Sequence, residues 1–334
     1  MIINNFDTEK KVFIVAEIGN NHEGNYSVAE EMIGKAAEAG VDAVKFQTFI
    51  PELYVSSADT SRLERLRGFQ LSFDQFEQLS SQAKELGIIF FSTPFDVESA
   101  KFLNSIQPIF KIASGDNTFF PLIDTITKFG KPTIISTGLA DMKLLEDIYT
   151  FWSARTSTEN LAVLHCIASY PAPLEQANLG AICAIKDRFP EITVGFSDHT
   201  IGFKAASYAV AAGARIIEKH FTLDKNYSDF HDHLLSADPE EMKILVESIR
   251  EVSAIMGSGE KTPQVCENDV RIAVRRSIAA AQDLSEGTEL SIHNFTWVRP
   301  GTGIPPGQEN LLLGHKLTRT LKQGELILLE DVSK

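Results

Sequence analysis

Eight short hydrophobic runs, each holding a residue able to do chemistry, constrain this chain more than any other feature. The first four are VFIVAE ending at Glu17, DAVKFQ with Lys45, GIIFFSTP with Thr93, and IFKIAS with Lys111 and Ser114. PTIISTG with Ser136, LAVLHC with His165, ITVGFSDH with Ser197 and His199, and ARIIEKH with Glu218 and His220 complete the series. Stretches of helical patterning separate them, among them 27–39, 73–86, 122–129 and 203–212. Strand-like runs alternating with amphipathic helices predict a parallel α/β sheet. Eight such units predict a closed (β/α)8 TIM barrel, in which reactive side chains meet at the C-terminal strand ends. That is the layout of an enzyme with one pocket.

At 334 residues the chain can hold a barrel of about 250 residues and a small second domain. The barrel is expected over 1–259, because the helical stretch from 239 to 256 stops at Gly257-Ser258-Gly259. A polar linker is expected over 260–276. From 277 to 334 the helical rhythm gives way to short runs punctuated by glycine and proline, which predict a small mainly β domain. No apolar run is long enough to span a membrane, and the N-terminal MIINNFDTEKKVF lacks the pattern of a secretory signal. Cys166, Cys183 and Cys266 show neither metal-ligand nor disulfide spacing, so a cytoplasmic location is expected. A formal charge of −14 disfavours nucleic acid or an anionic membrane as partner. An anionic small molecule would then need its own local cations.

Those cations are present. Lys45 and Lys111 lie on barrel strands beside inward-facing residues, and a desolvated ammonium is tolerable only with an anionic partner. That partner is either a ligand or an internal Glu17 or Glu218. Ser114-Gly115, Ser136-Thr137-Gly138 and Ser197-Asp198 supply hydroxyl and backbone donors suited to phosphate or carboxylate. His199 and His220 end neighbouring strands, where both imidazoles could reach one divalent ion, although either could simply cap its strand. His165 ends the sixth strand among core residues and reads equally well as structure. Glu17 opens a glycine- and asparagine-rich loop and could move protons or accept sugar hydroxyls, or pair with Lys45. Asp232-His233 falls in a polar segment after the eighth strand, where a solvated turn is the default expectation.

The ordered motifs AEIGNNHEGN, DAVKFQ, STPF, KIASGD, ISTG, LHC…YPAP, GFSDHTIG and EKHF resemble the sialic acid synthase family. The closing RRSIAAAQDL…WVRPGTGI resembles the antifreeze-like (SAF, β-clip) domain that follows the barrel in those enzymes. The resemblance implies condensation of phosphoenolpyruvate (PEP) with an N-acetylmannosamine-like aldose, with release of phosphate by C–O cleavage. It implies that Lys45, Lys111, Ser114, Ser136 and Ser197 hold PEP and that Glu17 manages protons. On the same ground His199 and His220 would hold Mn2+ or Mg2+, while Thr93, Asp116, Tyr170, Asp232 and Arg299 would contact the acceptor sugar. Arg299 would come from the antifreeze-like domain of a partner copy, which implies a domain-swapped homodimer.

Three departures fall on the acceptor side. Asp116 stands where the family commonly has Glu, which moves a hydroxyl contact by more than about 1 Å. Ala168 stands where some members have Asn, and DKNYSDFHDH lacks a frequent Gly-Pro. A 2,4-diacetamido-trideoxy hexose leading to a legionaminic- or pseudaminic-type acid is therefore the alternative acceptor. A phosphorylated aldose would need further basic residues, and the sequence offers no clear set. A non-catalytic sugar- or phosphate-binding protein is the alternative of another class.

Overall fold

The computed structural model describes residues 1–334, which divide into two compact units, Met1–Gly257 and Ser258–Lys334. In the first, all eight runs form strands: β1 (Phe13–Gly19), β2 (Ala43–Thr48), β3 (Ile89–Pro94), β4 (Phe110–Ile112), β5 (Thr133–Ser136), β6 (Leu161–Cys166), β7 (Thr193–Asp198) and β8 (Ile216–His220). They pair in parallel in the order β3-β2-β1-β8-β7-β6-β5-β4, and β3 also packs beside β4 to complete the ring. At that last seam the Ser92 N–H donates to the Gln107 side chain at 2.7 Å. The fold is the expected TIM-type barrel.

Alternation along each strand sorts side chains into two cores. Phe13 and Val15 of β1, Ala43, Phe91, Ile134, Leu164 and Ile216 pack together inside the ring. Their neighbours Ile14, Val44, Phe90, Ile135, Val163 and Ile217 pack outward in the larger core shared with the helices. Gly195 of β7 is required by this crowding, since a Cβ there would collide with the Ile216 carbonyl and Leu164. Two residues further along the same inward rows come Glu17, Lys45, Thr93, Ser136, Cys166, Ser197 and Glu218. An apolar plug therefore fills the lower barrel, and its upper layer is polar.

An N-terminal hairpin, Ile2–Ile3 with Phe6–Asp7, adds Ile3 to the interior core. Several of the helices begin on side-chain caps. Asn25 accepts from Val28, Ser72 forms a capping box with Gln75, and Asp238 caps the long helix Pro239–Met256, which ends at Gly257 as patterned. One feature breaks the simple alternation. Between β2 and β3 an additional helix, Thr60–Phe69, precedes the expected Phe73–Glu85. No helix is long and apolar enough to cross a membrane.

The second unit builds its own core from Ile278, Leu284, Phe295, Leu312, Leu317, Leu321 and Ile327. Its pairings are short and antiparallel, Ser277–Ala280 with Phe295–Val298 and Lys316–Leu317 with Val332–Ser333. The segment expected as a linker is exposed throughout but carries a short helix, Asn268–Val274.

Candidate active site

A cavity of 340 Å3 opens at the C-terminal end of the barrel. Its wall includes Glu17, Lys45, Thr93, Lys111, Ser114, Ser136, Tyr170, Ser197, His199, His220 and Asp232. The barrel thus gathers eleven residues singled out in the sequence into one place. Asp116 is not on the wall, and Arg299 belongs to the second unit. His165 also stands apart, with Nε2 at 2.9 Å from the Ala177 carbonyl, which answers its ambiguity in favour of structure.

On the cavity floor both lysines are buried against carboxylates. Lys45 Nζ lies 2.8 Å from Glu17 and 3.7 Å from Glu218, and donates to Thr93 Oγ1 at 3.1 Å. Lys111 Nζ donates to Ser136 Oγ at 2.7 Å and lies 3.4 Å from Glu218. The Ser197 hydroxyl donates to the same Glu218 carboxylate at 2.8 Å. Internal pairing, the plainer of the two readings of these lysines, is therefore present. It does not remove the functional reading, because desolvation cancels much of the Coulombic gain of a buried pair.

Burial pushes the Glu17 carboxyl up to about 7 against the pull of Lys45. Burial would also raise Glu218, but Lys111 and Lys45 outweigh it and hold Glu218 well below the usual range. Two carboxyl groups beside the same lysine are thus driven in opposite directions, one poised near neutrality and one fixed as an anion. Burial depresses Lys111, while Glu17 and Glu218 overcome the same burial at Lys45 and raise it.

The two imidazoles stand with ring centroids 5.4 Å apart. His199 Nδ1 lies 2.7 Å from the Ile167 carbonyl, so it carries the proton and Nε2 keeps its lone pair for the cavity. His220 Nδ1 is buried with no hydrogen-bond partner, and Asp232 Oδ2 lies 3.7 Å from it. Burial lowers both histidines, which favours the neutral, ligating form. Two neutral imidazoles are donors suited to a divalent ion, and no third His, Cys, Asp or Glu completes a cluster with them. On the outward face Asp198 and Lys219, the neighbours of these histidines, pair at 3.3 Å. Lys219 also donates to the Thr200 carbonyl at 2.5 Å, so β7 and β8 are locked together just behind the imidazoles.

Around the rim, the Tyr170 ring covers His199 at 4.2 Å. The expected solvated turn at Asp232-His233 is instead the short helix Asp232–Leu235, with both residues buried. Tertiary bonds explain the difference: His233 Nε2 meets Glu23 at 3.0 Å and Nδ1 meets Thr222 Oγ1 at 2.7 Å. Burial raises Asp116, half-buried in the turn after β4, to about 6.

Sequence reasoning passed over Glu218 as a site residue and missed Gln47, Asn20, Arg62 and Arg65, all on the cavity wall. Gln47 was findable, since it follows Lys45 by two positions on the same strand face. The arginines were not, because they ride on the additional helix.

A model of the NeuB family matches residues 32–261 and one of the SAF domain matches 275–333. An N,N'-diacetyllegionaminic acid synthase of Legionella pneumophila is 39% identical over 337 residues, covering 96% of this chain and 94% of that one. N-acetylneuraminate-9-phosphate synthase of Mus musculus is 34% identical over 335 residues, covering 96% and 92%. The crystal structure of an N-acetylneuraminic acid synthetase from Leptospira borgpetersenii, in complex with citrate, superposes with a TM-score of 0.76 at 33% identity. That match covers 80% of this chain and 94% of the other.

Proposed function

Because the chain belongs to the NeuB family, an acid-synthase family of transferases, we propose that it condenses PEP with an amino-sugar aldose to a nonulosonic acid and releases phosphate. The observation that carries this reading is the floor of the cavity, where Lys45, Lys111 and Ser136 face two neutral imidazoles within one enclosure. Lys45 and Lys111 bind the phosphate and carboxylate of PEP, with Ser114, Ser136 and Ser197 donating to their oxygens. That placement turns C3 of PEP toward the aldehyde carbon of the acceptor. His199 and His220 are the residues that would hold Mn2+ or Mg2+, and the ion would supply Lewis-acid polarisation of the aldehyde.

A C–C bond forms from C3 to the aldehyde carbon, and water adds at C2. Glu17 takes one proton of that water, and an equivalent proton goes to the aldehyde oxygen as it becomes the new hydroxyl. The C2–O bond breaks with its electrons leaving on phosphate, which carries off the remaining hydroxyl proton as C2 becomes the ketone. Tyr170, Asp232 and Thr93, all on the cavity wall, orient the acceptor. In the homodimer that belongs to this reading, Arg299 of a partner copy adds to them.

A second acceptor has specific support. The 39% identity to an N,N'-diacetyllegionaminic acid synthase, with Asp116 and Ala168 in place of commoner residues, favours a 2,4-diacetamido-trideoxy hexose. The test is phosphate release from PEP with Mn2+ across N-acetylmannosamine, its 6-phosphate and the diacetamido hexoses. Release that requires one sugar, PEP and the cation together supports the synthase and identifies its acceptor. PEP binding without phosphate release from any sugar would point to a sugar- or phosphate-binding protein.

A further inference from the structure

Charge on the cavity wall is unevenly matched. Lys45 and Lys111 lie against Glu17 and Glu218 at 2.8–3.7 Å, so part of the positive charge on the floor is already met by carboxylates. Two further cations line the same cavity, Arg62 and Arg65. Neither has a carboxylate among its ion-pair partners, whereas Arg67, two residues past Arg65 on the same helix, is paired with Glu52 at 2.7 Å. The guanidiniums at 62 and 65 are one turn apart and share one helix face.

The helix that carries them is held in place. Leu63 and Leu66 are buried, and Leu66 packs with Phe49 and Phe95 of the neighbouring strand ends. Asp59 caps the helix by accepting from the Arg62 N–H at 3.2 Å. The Arg62 guanidinium lies over the Tyr54 ring at 5.3 Å, and Tyr54 packs against Phe95 in a tilted pair with centroids 4.5 Å apart. At the far end Phe69 meets Phe230 of the β8 loop at 5.3 Å. Gly24 lets the β1 loop approach so closely that a Cβ there would collide with the Gly68 carbonyl. Aromatic and backbone contacts on both sides thus hold in place a helix whose Arg62 and Arg65, without carboxylate partners, line the cavity.

We propose that Arg62 and Arg65 form a phosphate-capturing pair on this helix. Paired guanidiniums suit the planar, multidentate recognition of a phosphoryl group. The ligand's identity rests on the synthase reading: the phosphate belongs either to PEP or to a phosphorylated aldose. The pair also supplies the basic residues that a phosphorylated acceptor would need and that the sequence did not disclose.

The experiment measures binding of inorganic phosphate by calorimetry to the wild type, R62A/R65A, R62K/R65K and R67A. The double alanine variant is expected to bind phosphate about tenfold more weakly, the lysine variant to recover part of the loss, and R67A to match the wild type. Unchanged phosphate affinity in R62A/R65A, with helical content retained, overturns the proposal. Steady-state arms then separate the sources: a raised KM for PEP assigns the pair to PEP, and a raised KM for a 6-phosphorylated aldose alone assigns it to the acceptor. Should no aldose turn over while R62A/R65A still loses phosphate, the synthase reading falls and the arginine site stands.

Discussion

On the floor of the cavity every charged side chain comes from a strand and meets an opposite charge. On the rim the charged and aromatic groups come from loops and short helices between the strands, and Arg62 and Arg65 meet no carboxylate. Strand register fixes floor residues as rigidly as it fixes the core beneath them, since a slip of one position would turn the whole row outward. Rim residues depend on tertiary contacts such as Glu23 with His233 and Phe69 with Phe230. The floor is thereby suited to bond making and the rim to choosing what enters. Floor substitutions should lower kcat, and rim substitutions should raise KM.

The sharpest break of that comparison is His220→Ala. Phosphate release should fall by about a thousandfold, the several kcal/mol that a Lewis acid supplies, while circular dichroism stays native. Near-wild-type release without added cation would remove the imidazoles from the reaction. Next comes Glu17. Its carboxylate is the base form, present above a folded pKa of about 7 and lost as pH falls through it, so kcat/KM should decline on the acid side of neutrality. Glu17→Gln should abolish that limb and cost about a hundredfold in rate. An acid limb that survives the substitution belongs to another group. On the rim, Asp232→Asn should raise the acceptor KM about tenfold and leave the PEP KM unchanged. Equal effects on both substrates would erase the distinction between floor and rim.

The barrel was legible because two periods of sequence coincide with two layers of structure. Phe13, Val15 and Glu17 alternate with Ile14 and Ala16, and each strand repeats the device, so apolar rows and the polar layer above them could be read together. The same alternation exposed Lys45, Lys111, Ser197, His199 and His220. Glu218 was visible but read only as a counter-ion, because its sequence gives no hint that it spans both lysines and Ser197. The solvated turn expected at Asp232-His233 fails because nothing local in DFHDH announces burial, which comes from the contacts of His233 with Glu23, about two hundred residues away, and with Thr222. Arg62 and Arg65 sit in a mixed-charge helix with only Leu63 and Leu66 turned inward, a pattern that resembles any solvated surface helix.

The pairing of Lys45 with Glu17 on the floor couples ligand entry to protons. An anion that takes the charge of Lys45 strips Glu17 of its counter-ion and adds a negative neighbour, so the Glu17 carboxyl binds its proton more tightly. Starting near neutrality, the site should draw protons from solution as PEP binds. The heat of binding at pH 7 should therefore vary with the ionisation enthalpy of the buffer, and that dependence should vanish in acid, where Glu17 is already protonated. Anion affinity then rises as pH falls while the base needed for turnover is lost. The working pH of the enzyme is a compromise between holding its substrate and consuming it.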